Sequence, residues 1–287
     1  MSPTIIITII TLTLLGSLSA VILYFIASKF RIEEDPRIDE VLAVLPAVNC
    51  GGCGFAGCRN FSEVLVKAES FEGLNCPVGG NKVMTEAAKI LGKEPVETDP
   101  LVAMILCNGS PEHRHRSSRY NGPADCRLSH NLYIGETDCA FGCMGLGDCV
   151  SACTFGAMYI DSKTMLPVVI DDKCVACGLC VKACPRNIIE LRKKAKKDRK
   201  IFVSCVNTDK GGPARRTCKV ACIACSKCYD VCRFDAITIS DNLAWIDSFK
   251  CTLCRKCVAV CPTSSILEVN FPAPKLKQEV PEIIAES

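Results

Sequence analysis

Cysteine spacing constrains this chain more than any other feature. Cys174-Val-Ala-Cys177-Gly-Leu-Cys180-Val-Lys-Ala-Cys184-Pro185 places three thiols two residues apart and a fourth after three more. Such a run suits a [4Fe–4S] cubane: a tight loop presents three sulfurs to three irons, and the fourth Cys, turned away at the proline, ligates a neighbouring cluster. The run recurs as Cys222-x2-Cys225-x2-Cys228-x3-Cys232 and as Cys251-x2-Cys254-x2-Cys257-x3-Cys261-Pro262, with a degenerate copy at Cys139-x3-Cys143-x5-Cys149-x3-Cys153. Four copies make two pairs. In a two-cubane fold each run takes its fourth ligand from the other. The second pair then holds Cys222, Cys225, Cys228 and Cys261 at one site and Cys251, Cys254, Cys257 and Cys232 at the other. In the first pair, Cys174, Cys177, Cys180 and Cys153 form one site. Cys143, Cys149 and Cys184 form its partner, with Cys139 supplying the ligand that Leu146 cannot.

The 24 cysteines in 287 residues would suggest a disulfide scaffold in a short secreted protein. This chain is too long and its Cys too regularly grouped for that. Thiolate ligands to iron imply a reducing compartment instead. Zinc sites seldom use three-Cys runs at this spacing, so zinc is disfavoured for the paired motifs. Small modules of this kind fold with their metal, because metal-binding free energy is folding free energy.

Residues Thr4 to Ser28 carry no charge and are mostly Ile, Leu, Thr, Val and Ala. As a helix they reach about 37 Å, enough to cross roughly 30 Å of bilayer hydrocarbon. A signal peptide is disfavoured: there is no basic n-region and the apolar stretch is too long. Lys29 and Arg31 follow the stretch and no basic side chain precedes it, so the positive-inside rule puts the rest of the chain in the cytoplasm.

Asp35-Pro36 opens a predicted helix with Ile38, Val41, Leu42 and Leu45 on one face. Next come Cys50-Gly-Gly-Cys53-Gly-Phe-Ala-Gly-Cys58 and Cys76-Pro77. Glycines let the backbone wrap a bulky cluster and turn N–H groups toward sulfur. Phe61, Val64, Leu65 and Ala68, then Val83, Ala87, Ile90 and Leu91, recur at helical spacing. Two short helices covering one cubane on Cys50, Cys53, Cys58 and Cys76 are expected, zinc being the alternative for this site. Gly52-x-Gly54-x-x-Gly57 matches the dinucleotide fingerprint, but no strand precedes it and Cys interrupt it, so no nucleotide site is assigned.

Leu101–Leu106 reads as a buried strand ending at Cys107-Asn-Gly, and a polar loop with His113 and His115 leads to Cys126. The histidines are read as solvated, since imidazole has no place in an all-thiolate cubane. Ile201-Phe-Val-Ser-Cys205 echoes the strand, and Cys218-x3-Cys222 echoes Cys139-x3-Cys143. A duplication is the simplest account. Cys107, Cys126, Cys205 and Cys218 are left over. They would complete a sixth cubane by arithmetic but lack the spacing that preorganises a site, so buried structural thiols or alternative ligands are expected.

Residues 33–100 carry twelve acidic and six basic side chains; residues 181–220 carry thirteen basic and three acidic, centred on Arg192-Lys-Lys-Ala-Lys-Lys-Asp-Arg-Lys200. This basic run is either a solvated loop or a docking surface for an acidic redox protein or anionic lipid. Without aromatic stacking platforms, nucleic acid is not expected.

The order of parts resembles the B subunit of the Rnf complex. The resemblance rests on the apolar span, Leu45-Pro46-x-x-Asn49-Cys50 with Cys76-Pro-Val-Gly-Gly80, Gly142-Cys143-Met-Gly-Leu-Gly-Asp148-Cys149, Asn242-Leu-Ala-Trp-Ile-Asp247 and the paired runs. It covers nearly the whole chain and departs from shorter members by having two two-cubane units. The resemblance implies an electron-transfer subunit of a bacterial inner-membrane complex that oxidises reduced ferredoxin, reduces NAD and moves ions; the Cys50 module, nearest the apolar span in sequence, is the expected electron exit. The expected fold is α+β: a transmembrane anchor (1–28), a helical four-Cys module (29–100), two ferredoxin-like two-cubane units (101–195 and 196–270) and a tail (271–287). Five [4Fe–4S] clusters are expected. The expected partners are reduced ferredoxin, other subunits of the complex and the bilayer through residues 4–28. The competing reading is a membrane-tethered polyferredoxin serving another redox complex such as a hydrogenase.

Overall fold

The computed structural model describes residues 3–29 and 35–272. Arg31, Glu33, Glu34 and residues 273–287 of the predicted tail lie outside the described residues. Helix α1 (Pro3–Lys29) is the one described helix long and apolar enough to cross a membrane, and none of its residues is buried.

Helices α2 (Arg37–Val44), α3 (Cys58–Lys67) and α4 (Gly80–Leu91) form the next body. The apolar faces read in the sequence meet here: Val41, Leu45, Phe61, Leu65, Ala87 and Leu91 pack with Phe71, Cys76 and Met84, while Val83 and Ile90 are only partly buried. Asn49 caps α3 from outside, its Oδ1 accepting from the Cys58 N–H at 2.8 Å, which satisfies one of the helix's orphan donors. At the other end of α3, Lys93 Nζ donates to the carbonyls of Leu65 and Val66 at 2.7 and 3.1 Å. A cation there complements the helix C-terminus. Gly92, at φ +63°, ends α4 in the left-handed conformation that glycine takes without strain.

Beyond residue 100 the chain repeats itself. Strand β1 (Leu101–Ile105) pairs antiparallel with β4 (Ile189–Lys193), and β2 (Met158–Ile160) with β3 (Pro167–Val169). In the second half β5 (Lys200–Val203) pairs with β8 (Ile266–Val269), and β6 (Ile237–Ser240) with β7 (Leu243–Ile246). Each half is thus closed by a sheet joining its first strand to its last, with a hairpin between. Short helices lie among the cysteines: α5 (Cys126–Leu132), α6 (Asp148–Ser151) and α7 (Leu179–Ala183) in the first half, then α8 (Gly211–Thr217), α9 (Lys227–Asp230) and α10 (Lys256–Val260); each except α8 contains one.

The halves share a core in which Val102, Met104 and Leu106 from β1 and its end meet Phe202 of β5, with Leu267 and Val269 of β8. Polar contacts seal the seam. Arg192, 3 % exposed, donates from Nη1 to the Ile246 carbonyl at 2.7 Å, and its guanidinium lies 5.1 Å from the Trp245 ring centre. The Lys193 N–H donates to Ser248 Oγ at 3.3 Å.

Candidate metal centres

The regular runs share one backbone device. Ala176 and Gly178, which flank Cys177, have φ of +55° and +78°; Ala224 and Ser226, which flank Cys225, have +51° and +62°; Leu253 and Arg255, which flank Cys254, have +59° and +67°. Non-glycine residues pay roughly 1–2 kcal/mol each for that conformation. Backbone alternating in this way turns successive N–H groups toward one point, an anion-binding concavity suited to an iron–sulfur group. Gly145 and Gly147, at φ +75° and +93°, repeat it around Leu146. The degenerate run therefore keeps the loop and lacks only the middle thiol.

Four-thiol cavities form at these loops, each with about 320–370 Å³ of empty space. One is lined by Cys50, Cys53, Cys58 and Cys76. A second is lined by Cys153, Cys174, Cys177 and Cys180, and another by Cys232, Cys251, Cys254 and Cys257. Cys228 has Cys222 and Cys225 as electrostatic neighbours, and Cys261 packs, partly buried, against the cluster that holds Cys222 and Cys228.

The remaining cavity groups the thiols differently from the sequence expectation. Cys143, Cys149 and Cys184 face Cys126, not Cys139. Asp148 is the cause. It opens α6 just before Cys149, and its carboxylate accepts from the backbone N–H groups of Cys126 and Arg127 at 2.8 and 3.3 Å. Asp125 caps the same helix, accepting from the Leu128 N–H at 2.7 Å. The start of α5 is thereby pinned beside α6, and Cys126 stands in for the thiol missing at Leu146. Cys139 instead lines a separate cavity of about 310 Å³ with Cys107, Cys205 and Cys218.

The donor set fits iron–sulfur groups better than single ions. All 24 cysteines are unpaired thiols. Among the described residues no three His, Cys, Asp or Glu side chains converge closely enough for one metal ion. Tetrahedral zinc at about 2.3 Å from each sulfur needs that closeness; a cube whose four corners each take one thiol does not. Burial pushes the thiols of Cys143, Cys149 and Cys257 up to about 12 and those of Cys180 and Cys228 up to about 11, with neighbouring sulfurs adding to the effect. Ionising such a group calls for a bound cation. Cys261 differs: burial opposes its ionisation, but hydrogen bonds from Ser265 and from the N–H groups of Thr263, Ile266 and Ser265 lower it on balance. Backbone N–H groups of Gly79 and Ala157 point at the sulfurs of Cys76 and Cys153 at 3.4 Å. His115 is exposed and pairs with Asp138 at 3.2 Å, and it lines none of these thiol cavities.

The sites adjoin one another. A Cβ on Gly52 would come within 2.9 Å of the Cys177 carbonyl oxygen, so the Cys50 loop lies directly on the Cys177 loop. Cys149 is an electrostatic neighbour of Cys180, and Cys257 of Cys228. At the far end Cys225 and Cys254 are exposed, as is Phe234 beside the Cys254 cavity. The basic run is less free than its composition suggests. Lys193 pairs with Asp99 at 3.0 Å, Lys194 with Asp198 at 3.2 Å, buried Lys200 with Asp171 and Arg192 with Glu190; Lys196 and Lys197 remain exposed.

Comparison with known proteins agrees with this geometry. Residues 45–78 match a family described as a putative Fe–S cluster, residues 167–190 a 4Fe–4S binding domain, and residues 221–265 a 4Fe–4S dicluster domain. The B subunit of an ion-translocating oxidoreductase complex from Methanosarcina acetivorans is 38% identical over 93% of this chain and 99% of its own length. The B subunit of the Na(+)-translocating ferredoxin:NAD(+) oxidoreductase complex of Acetobacterium woodii is 39% identical over 84% of this chain and 71% of its own. The proton-translocating counterpart from Clostridium ljungdahlii is 35% identical over 92% of each.

Proposed function

The chain belongs to the B-subunit family of ion-translocating ferredoxin:NAD oxidoreductase (Rnf) complexes, and on that premise we propose how its parts divide the work. It is a membrane-associated, iron–sulfur electron-transfer subunit of such a complex. Five sets of thiols suit [4Fe–4S] clusters: Cys50, Cys53, Cys58 and Cys76; Cys153, Cys174, Cys177 and Cys180; Cys126, Cys143, Cys149 and Cys184; Cys222, Cys225, Cys228 and Cys261; Cys232, Cys251, Cys254 and Cys257. A cubane in each would supply a reversible one-electron centre. The chain's own part is to fix the centres in sequence, exclude water from the buried thiols, and present N–H donors to sulfur, which tunes potential.

The observation that carries this reading is the adjacency of the sites within each half: the Cys50 loop packs on the Cys177 loop, Cys149 neighbours Cys180, and Cys257 neighbours Cys228 beside the open thiols. Reduced ferredoxin would dock at the open end, where Cys225, Cys254 and Phe234 are exposed. The Cys50 module would hand electrons to a membrane subunit. Helix α1 would cross the bilayer once, with the rest of the chain in the cytoplasm. Anaerobic purification, iron and sulfide counting and EPR during stepwise reduction test the reading. It expects at least about 20 irons per chain and complete reduction by ferredoxin at a salt-dependent rate. Colourless, zinc-loaded protein would end it.

A further inference from the structure

We propose that Cys107, Cys139, Cys205 and Cys218 hold a sixth [4Fe–4S] cluster at the junction of the two halves, making the row of sites continuous. The proposal extends the iron–sulfur reading above and rests on it. The cavity these thiols line, about 310 Å³, matches the others in size. Each half contributes an equivalent pair. Cys107 follows β1 as Cys205 follows β5, and Cys139 precedes Cys143 by four residues as Cys218 precedes Cys222. The two strand ends are tied together by the Asn108 N–H donating to the Ser204 carbonyl at 3.1 Å.

The donors around the sulfurs keep the same symmetry. The Cys143 N–H donates to Cys107 Sγ at 3.4 Å, and the Cys222 N–H donates to Cys205. Each donor is a ligand of the adjoining site in its own half. The junction thus touches the last site of the first half on one side and the first site of the second half on the other. Without a centre here those two sites would have no redox group between them. The Asn207 N–H donates to Cys205 Sγ at 3.5 Å, and its buried amide approaches Cys139 Sγ at 3.9 Å.

Charge points the same way. Arg114 lines the cavity at 7 % exposure and bonds through Nη1 to Thr137 Oγ1 at 3.2 Å and the Cys143 carbonyl at 2.9 Å, while its Nε has no partner. Arg186, half-buried on the wall of the adjoining Cys126 cavity, reaches toward the junction and donates to the Gly142 carbonyl at 2.5 Å and to the Cys139 carbonyl at 3.4 Å, its Nε unpartnered. Among the described residues neither guanidinium has a carboxylate partner. Buried cations are paired; a cube carrying four thiolates supplies the missing anion. Gly142 belongs to the same fit, since a Cβ there would lie 2.4 Å from Arg114 Nη1 and 3.5 Å from Cys139 Sγ.

The test compares the full chain, purified anaerobically, with the Cys107→Ser/Cys205→Ser variant. Expected are about 24 irons and 24 sulfides per wild-type chain and about 20 in the variant, with one EPR component lost on stepwise reduction. A wild-type count of about 20, or a variant that keeps all its iron and its full spectrum, overturns the sixth site and leaves the five others intact. A count far below about 20 overturns the iron–sulfur reading itself. The wild-type count decides on its own if the variant does not accumulate.

Discussion

Arg192 offers a direct probe of what holds the two halves in register. Replacing it with Ala removes three contacts whose sizes can be set separately. The bond from Nη1 to the Ile246 carbonyl, 2.7 Å and buried, is charge-assisted and contributes about 1.5–3 kcal/mol. The stack on Trp245 at 5.1 Å adds roughly 0.5–1 kcal/mol, because that ring is 39% exposed. The pair with Glu190 adds about 0–1 kcal/mol, since the carboxylate is 38% exposed and stays solvated when its partner leaves. Together the loss is roughly 2–5 kcal/mol. With a urea slope near 3 kcal/mol per molar, the anaerobic midpoint for bleaching of cluster absorption should fall by about 1 M. Iron content should not change, because Arg192 lines none of the thiol cavities described above. Arg192→Lys keeps the charge but loses the planar fork that serves Ile246 and Glu190 together, so its midpoint should lie between the two. An unchanged midpoint in the Ala variant would refute the seam as a source of stability; a loss of four irons would show that Arg192 belongs to a site instead.

Other consequences are quick to check. Cys126→Ser should remove one cluster, and Leu146→Cys in the same chain should restore it by iron count, because Gly145 and Gly147 already give Leu146 the geometry of a middle ligand; failure to restore would mean the loop alone does not define the site. Asp148→Asn, with a weaker acceptor for the Cys126 and Arg127 N–H groups, should make that cluster several-fold faster to lose to an iron chelator, a charge-assisted bond contributing about 1.5–3 kcal/mol. Gly52→Ala, whose Cβ would come within 2.9 Å of both the Cys177 carbonyl oxygen and Pro77 Cγ, should slow electron exchange between the first two sites without changing iron content, as read by freeze-quench EPR. Under air the clusters at Cys225 and Cys254, the two exposed thiols, should degrade first.

Much of this is legible in the sequence because both the ligands and the loops that aim them are local. Three Cys at two-residue spacing fix their own geometry, so the loops around Cys177, Cys225 and Cys254 can be read without knowing the fold. The same holds for the apolar faces of α2, α3 and α4. Cys126 escapes such a reading for the opposite reason. Its place depends on Asp148, 22 residues away, and no spacing rule reaches across that loop. The signal present is Asp125, a helix-capping residue just before a lone Cys. The basic run misleads in a similar way: four of its cations meet carboxylates, two of them on distant segments at Asp99 and Asp171. The pairing of β1 with β4 and of β5 with β8 is likewise beyond a pattern that shows strands but not their partners.

Closing each half with a sheet between its own first and last strands bears on how the chain is made. Domains fold as units while synthesis proceeds, N-terminal ones first. The three-helix body draws its own core from residues before 100, and the first half can close its sheet once Lys193 has left the ribosome. A scaffold delivering iron and sulfide could therefore load the nascent chain from front to back. The pocket shared by Cys107, Cys139, Cys205 and Cys218 has to wait for the second half, leaving two early thiols exposed to oxidation whenever translation stalls between residues 139 and 205.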